Sequence, residues 1–142
     1  MKKQPIINFP GNIMIRLMVG LVFLSEGIQK FLMHGATADR FTKAGIPQPQ
    51  FFVPFVGATE ITCGFLIIIG LLTRLAAVPL LMVILTAIYA TKLPILTGKG
   101  FWAAAHEGRA DFCMLMGLIL LLIYGAGKYS VDSKFISLQK SL

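Results

Sequence analysis

Four long apolar stretches constrain this chain more than any other feature. They run from about Asn12 to Met33, Phe52 to Thr73, Leu75 to Pro94 and Ala110 to Gly127. A helix needs roughly 20 mostly apolar residues to cross the hydrocarbon core of a bilayer. We therefore predict an all-α integral membrane protein, a four-helix up-and-down bundle in which residues 1–142 form a single domain.

The apolar stretches favour helices over the strands of a membrane barrel. Barrel strands alternate polar and apolar residues, whereas 67–69 and 118–123 are apolar at every position. Of the 142 residues, 56% are hydrophobic and 13% are charged, compared with about a quarter charged in soluble domains. Polar residues are too few to cover a soluble fold, so lipid is expected to surround the chain.

Proline and glycine positions indicate where the spans begin and end. Pro54 suits the first turn of span two, and Pro79 should kink span three or lie in its first turns. Pro94, together with Gly98 and Gly100, is expected to end span three. Spans two and three are joined by the short segment Gly70 to Arg74. Such a short connection predicts an antiparallel helical hairpin.

Lys and Arg are divided almost evenly between the two predicted ends of the bundle, with a small excess that favours both termini inside. The inner end carries Lys2, Lys3, Arg16, Arg74, Lys128, Lys134 and Lys140, and the outer end carries Lys30, Arg40, Lys43, Lys92, Lys99 and Arg109. The net charge of +7 is spread between the apolar stretches. Membrane lipids with anionic headgroups, and not nucleic acid, are therefore the expected partners.

Ionisable residues gather at the predicted outer end. A charged side chain inside a span is costly unless it faces protein or water, which makes it a candidate functional residue. Glu60 shares a helical face with Gly57 and Gly64, so it should face the bundle interior, about two turns below the outer end of span two. The candidates for ligand binding or proton exchange are Glu60, Glu26, Lys30, Arg109, Asp111 and His106.

The glycine-containing face of span one is the natural partner for Glu60. Arg16, Gly20, Gly27 and Lys30 follow one another along one stripe of that span. Small residues allow membrane helices to pack closely. His106 and Arg109 are placed in the loop before span four. The alternative is that the outer residues have no binding role and form only a structural ion-pair network that orients the helices.

At the opposite end, Arg16 stands at the start of span one and Asp132 just after span four. An ion pair between them would tie the first and last helices together. Arg16 extending alone to the lipid headgroups is an equal alternative.

Metal and haem chemistry have little support in the sequence. Cys63 and Cys113 form no Cys-x-x-Cys motif, and they are interpreted as small residues that fill helix contacts. His34 and His106 have no ligand spacing, so haem is not expected. No metal-ligand motif is present, and no metal site is predicted.

Three stretches carry a family resemblance. They read RLMVGLVFLSEGIQK from Arg16, EITCGFLIIIGLLTRLAA from Glu60 and GAGKYSVD from Gly125. Their order resembles the DoxX family of small four-helix membrane proteins, over a range from about Arg16 to Asp132. The resemblance implies a bacterial or archaeal cytoplasmic-membrane protein associated with quinone-linked or thiol-linked redox processes, often as an accessory subunit.

By that resemblance, certain positions match the family pattern: Arg16, Gly27, Lys30, Glu60, Gly64, Gly70 and Asp132, with Asp111 at the head of span four. Glu26 departs from the histidine that many members have at its position, which argues against histidine-dependent chemistry there.

The resulting functional hypothesis is an accessory subunit whose outer polar residues bind a quinone or another lipophilic redox partner. No nucleotide fingerprint or nucleophile constellation is present, so electrons are expected to come from a separate soluble or membrane protein. One alternative is a small proton-coupled transporter, and another is a purely structural membrane subunit. Four short spans enclose little volume, which makes a homo-oligomer plausible.

Overall fold

The computed structural model describes residues 11–127 and 129–142, and every regular element in them is helical. The elements are α1 (Gly11–Leu32), α2 (His34–Lys43), α3 (Pro49–Ile69), α4 (Thr73–Ala87), a π-helical segment (Ile88–Lys92), α5 (Leu93–Lys99), α6 (Phe101–Tyr124) and α7 (Val131–Ser141). Three residues used in the orientation count, Lys2, Lys3 and Lys128, lie outside this description.

Three described segments are long and apolar enough to cross a membrane: Asn12–Leu32, Pro49–Ile69 and Thr73–Lys99. No more than 33% of each apolar window is buried inside the protein. Large apolar side chains such as Leu21 and Met82 point outward, where lipid would cover them. The prediction of an all-helical membrane protein is therefore confirmed. Helix α6, the predicted fourth span, is not among the three segments.

Helices α1 and α3 pack antiparallel through their glycines. Gly20 of α1 faces Gly64 of α3, and seven residues later Gly27 faces Gly57. A Cβ atom at Gly27 would lie 2.7 Å from the carbonyl oxygen of Gly57, so the two backbones touch and no larger residue fits. The predicted pairing of the two small-residue faces is confirmed.

Helices α3 and α4 form the predicted antiparallel hairpin. Gly70 ends α3 with φ of +75°, and its N–H donates to carbonyls in the last turn of that helix, as glycine does at many helix ends. Gly117 of α6 touches Val19 of α1, so α6 packs against α1. The buried core consists of Val19, Phe23, Ile67, Ala76, Ala77, Leu80, Ile84, Met114, Leu118 and Leu121.

The third span ends later than its predicted limit at Pro94, at Gly100, which is one of the three residues expected to end it. Helical structure continues past Pro94 to Lys99, and Gly100, with φ of +93°, ends it. An interior proline removes one helical hydrogen bond, and the preceding π-helical segment changes the bonding pattern, with Leu93 N–H donating to the carbonyl of Ile88. Pro94 then lies in the first turn of α5, where no N–H is needed.

Two helix starts also lie earlier than expected. Helix α3 begins at Pro49, so Pro49 occupies the first turn and Pro54 lies inside the helix. Helix α6 begins at Phe101, so His106 and Arg109 belong to a helix and not to a loop. Pro79 lies inside α4. The short helices α2 and α7 fall outside the four predicted spans.

Candidate functional site

The Lys30 cluster, formed by Glu26, Lys30 and Glu60, joins α1 to α3. Lys30 Nζ lies 2.8 Å from Glu60 Oε2 and 3.8 Å from Glu26 Oε2. Glu60 is only 3% exposed, whereas the side chain of Glu26 is 54% exposed. The Lys30 ammonium therefore pairs with two carboxylates, the buried one of Glu60 and the exposed one of Glu26.

Helix direction explains how Lys30 and Glu60 meet. Long side chains on a helix lean toward its N-terminus, and α1 and α3 are antiparallel. Lys30 therefore leans down α1 while Glu60 leans up α3, toward one another. Gly57 leaves room for this, because a Cβ atom there would lie 3.3 Å from Lys30 Cβ.

Glu60 lies deeper than the sequence predicts. It stands eleven residues after Pro49 and nine before Ile69, near the middle of α3. At about 1.5 Å per residue, it is roughly 16 Å from the outer end. The expected depth of two turns was wrong because α3 begins earlier than the predicted span.

The carboxylate of Glu60 has spare capacity for a ligand. Within the described residues, Lys30 is the only polar group in contact with it, although a carboxylate can accept about four hydrogen bonds. With all three groups ionised, the Lys30 cluster carries one excess negative charge. A hydrogen-bond donor, a proton or a cation would complete it, since unpaired charge is costly inside a membrane.

The remaining predicted site residues lie elsewhere. Lys92 Nζ of the π-helical segment pairs with Asp111 Oδ2 of α6 at 3.5 Å. Arg109 and His106 contact one another at 3.2 Å on the exposed side of α6. In the described part of the chain, neither group contacts Glu60, so the single predicted cluster is divided into three. Sequence reasoning missed Lys92, although it is the only charged residue in the predicted third span.

Arg16 forms a second buried polar site at the inner end. It is 4% exposed. Its guanidinium donates to carbonyls at the end of α3, from Nε to Ile67 at 3.0 Å and from Nη2 to Ile68 at 2.7 Å. Its Nη1 donates to Ala126 at 3.2 Å and to Tyr129 at 2.7 Å, after α6. We call Arg16 and these four carbonyls the Arg16 clamp.

Asp132 caps the start of α4. Its carboxylate accepts hydrogen bonds from Leu72 N–H at 2.8 Å and Thr73 N–H at 3.2 Å, and its own N–H donates to the Gly70 carbonyl at 3.0 Å. The predicted contact between Arg16 and Asp132 is not made in the described residues. Each side chain binds backbone groups near the α3–α4 turn.

Gly70, in the stretch that begins at Glu60, is in direct contact with Arg16, which begins the first stretch. A Cβ atom there would lie 2.7 Å from Arg16 Nη2, so any side chain would displace the guanidinium. Gly127, in the last motif, likewise presses against Asn12 at the start of α1. The sequence signals for this arrangement are the glycines, although their spacing alone does not show which residues they touch.

Comparisons with known proteins find one family model and several relatives. The family model described as DoxX matches residues 11–93. The "Uncharacterized membrane protein Rv3486" of Mycobacterium tuberculosis is 50% identical over 132 residues, covering 88% of this chain and 81% of the relative.

Two further relatives are more distant. The "Putative oxidoreductase CatD" of Bacillus subtilis is 27% identical, with 86% of this chain and 84% of the relative covered. The "Inner membrane protein YqjF" of Escherichia coli is also 27% identical, with 86% and 89% covered. No solved structure matches the chain significantly.

Proposed function

Because the chain belongs to the DoxX family of membrane proteins, we propose that it is an accessory subunit of a quinone-linked membrane redox system. In this proposal the Lys30 cluster binds the headgroup of the quinone-like molecule. The observation that carries the proposal is the Glu60 carboxylate, buried near the middle of α3 with Lys30 as its polar contact. The name of the Bacillus subtilis relative, which includes the word oxidoreductase, also supports a redox role.

The chemistry of the Lys30 cluster suits a quinone headgroup. A quinone carbonyl can accept a hydrogen bond from the Lys30 ammonium, and a quinol hydroxyl can donate one to the Glu60 carboxylate. Hydrogen bonds to charged groups are stronger than neutral ones. Phe31 lies against Gly57 beside the pair and offers an aromatic surface to the ring.

A ligand dissolved in the bilayer would reach this cluster from the side. Glu26 is 54% exposed and Phe31 is 49% exposed on the outer surface of α1. Lys30 contacts both the exposed Glu26 and the buried Glu60. A lipophilic molecule therefore has a short path to the ammonium without crossing the core between α1, α4 and α6.

We assign binding and proton exchange to this chain, and electron transfer to a separate partner. Quinone reduction consumes electrons and protons together. Glu60 and Glu26 are carboxylates within reach of one ammonium, so they can hold or release protons as the headgroup changes state.

We also propose that α6 is the fourth span of an up-and-down bundle in a bacterial or archaeal cytoplasmic membrane. Its 24 residues are long enough, and it contributes Leu118 and Leu121 to the core. Phe112 and Ile123 point outward, as lipid-facing residues do. Its charged residues all precede Phe112, toward the outer boundary. Both termini then lie on the cytoplasmic side.

Proton-coupled transport is a second candidate, supported by the unequal charges of the Lys30 cluster. Two carboxylates share one ammonium, so the cluster can take up a proton or a cationic solute. Uptake driven by a proton gradient in proteoliposomes, lost in the Glu60→Gln variant, would favour this function over quinone binding.

The decisive experiment compares the purified protein with Glu60→Gln and Glu107→Gln. Glu107 is exposed on α6, so the same chemical change there is a matched control. Small molecules extracted from each protein in detergent are identified by mass spectrometry. We expect quinone to be retained by the parent and by Glu107→Gln. Glu60→Gln should bind it roughly 10- to 100-fold more weakly, since a hydrogen bond to a charged group is lost.

Two outcomes would contradict the proposal. The first is the absence of quinone from every preparation, including the parent after incubation with added quinone. The second is equal loss from Glu60→Gln and Glu107→Gln, which would place any bound quinone away from the Lys30 cluster.

A further inference from the structure

Helix α7 carries an apolar stripe that the described residues do not cover. Val131, Phe135, Leu138 and Leu142 follow the spacing i, i+4, i+7 and i+11, which places them along one side of the helix. Phe135 is 61% exposed and Leu138 is 62% exposed. No residue of α7 is buried against the described bundle. A stripe of this kind favours contact with an apolar surface beyond the described residues.

Basic residues accompany the stripe. Lys134 and Lys140 are both exposed, whereas the acidic residue of the helix, Asp132, is occupied in capping α4. The accessible charge of α7 is therefore positive. An amphipathic helix with lysines on its polar side is typical of segments that lie in the interface of a bilayer.

The first turn of α7 is fixed where the spans leave the membrane. The Asp132 N–H donates to Gly70 at the end of α3, and the Asp132 carboxylate caps the start of α4. Ser130 accepts a hydrogen bond from Ser133 N–H and caps α7 itself. Because Pro49–Ile69 and Thr73–Lys99 are long and apolar enough to cross a membrane, their junction next to the base of α7 is expected at a membrane boundary.

A shallow groove lies at the base of α7. The groove has a volume of about 320 Å³ and is lined by Ile69, Tyr129, Ser130, Val131 and Lys134. Ile69 and Val131 provide apolar walls, and Lys134 provides a cation. This combination suits the region of a phospholipid where the acyl chains meet a phosphate.

We propose that α7 is a membrane-surface helix that binds anionic phospholipid. The apolar stripe lies at the acyl boundary, and Lys134 and Lys140 contact the headgroup phosphates. Charge favours lipid over a second copy of the chain, because an isologous pair of α7 helices would bring the positive charges of both copies to one interface. The proposal rests on the membrane character of the chain and is independent of the proposed quinone site.

The first test places a tryptophan on each side of α7. The chain has one tryptophan, Trp102, so Trp102→Phe provides a dark background for Phe135→Trp and Ser137→Trp. Ser137 lies two residues from Phe135, on the opposite side of the helix. The full chain is reconstituted in anionic liposomes whose acyl chains carry bromine, a contact quencher. We expect strong quenching at position 135 and little at 137.

The second test concerns the charge. Native mass spectrometry counts anionic phospholipid retained by Lys134→Gln/Lys140→Gln and by the control Lys43→Gln/Lys99→Gln, which removes two exposed lysines elsewhere. We expect the preference for anionic over neutral phospholipid to fall roughly tenfold or more in the first variant alone.

Several results would overturn the proposal. Equal quenching at positions 135 and 137 would show that the apolar stripe is not in the bilayer. Quenching at 135 that disappears as the protein-to-lipid ratio rises would show that a second copy covers the stripe. Equal lipid retention by the two lysine variants would exclude recognition of phosphate by α7.

Discussion

The Arg16 clamp and the Lys30 cluster both bury a charged side chain between α1 and α3, but they surround it differently. Arg16 donates to four backbone carbonyls from two separate segments. Glu60 meets one flexible lysine, which it shares with Glu26. The guanidinium in the Arg16 clamp has used nearly all of its hydrogen-bond donors, whereas the Glu60 carboxylate in the Lys30 cluster has acceptor capacity left.

This difference separates holding the fold from binding a ligand. The carbonyls of Ile67 and Ile68 belong to the last turn of α3, where helical hydrogen bonding is incomplete, and the Ile67 carbonyl also accepts from Gly70 N–H. These two carbonyls cannot move without unwinding the helix, so two of the acceptors of the Arg16 guanidinium are fixed in place. A lysine side chain can reorient at low cost. The Lys30 cluster can therefore exchange partners, whereas the Arg16 clamp cannot.

The largest effect is expected from Arg16→Met. Four carbonyls lose the Arg16 hydrogen bond, two of them at the α3 end and two after α6, and the bonds to Ile67 and Ala126 are buried. Leaving buried polar groups without partners is strongly destabilising, and we expect the free energy of unfolding to fall by about 3 kcal/mol or more. Unfolding in detergent, followed by circular dichroism, measures the change.

The matched control for Arg16 is Arg74→Met. Arg74 is exposed and donates one hydrogen bond, from Nη2 to the Ile123 carbonyl at 3.0 Å. Its removal should cost about 1 kcal/mol or less. Equal losses from the two arginine variants would mean that burial and the four carbonyl contacts do not make Arg16 special, and the comparison between the two sites would fail.

An intermediate loss of stability is expected from a substitution at the contact between α1 and α3. Gly27→Ala would place a Cβ 2.7 Å from the Gly57 carbonyl oxygen and force α1 and α3 apart. Overpacking of this kind costs about 1–3 kcal/mol. The same denaturation measurement applies. Gly35→Ala, in α2 with no atom within 4 Å of the added Cβ, should be neutral or slightly stabilising, and a comparable loss there would show that the helix contact is not the cause.

The packing of α1 on α3 was predictable because glycine leaves a sequence signature. Gly20, Gly27, Gly57 and Gly64 recur at helical spacing, and small residues have one main use on membrane helices, which is close approach. The same reasoning predicted that Glu60 faces the interior. The short connection at 70–74 predicted the hairpin, because few residues permit only one arrangement of the two helices.

The Arg16 clamp was not predictable in the same way. The acceptors are backbone carbonyls, which every residue possesses, so their identity at Ile67 or Tyr129 has no trace in the sequence. The depth of Glu60 depended on whether α3 starts at Pro49, and proline suits both a loop and a first helical turn. The π-helical segment before Pro94 is likewise a local change in hydrogen bonding without a specific residue pattern.

The smallest effect on stability, and the sharpest test of the comparison, is expected from the double variant Lys30→Met/Glu60→Leu. Replacing a buried ion pair by apolar residues of similar size is often neutral or stabilising, because the cost of desolvating the charges is removed with their attraction. We expect the free energy of unfolding to stay within about 1 kcal/mol of the parent or to rise, while any bound quinone is lost. A loss as large as that of Arg16→Met would show that Lys30 and Glu60 also hold the fold together. The helix pairing through Gly20, Gly27, Gly57 and Gly64 would then be insufficient without this ion pair, and the distinction between a saturated structural site and an unsaturated binding site would have to be abandoned.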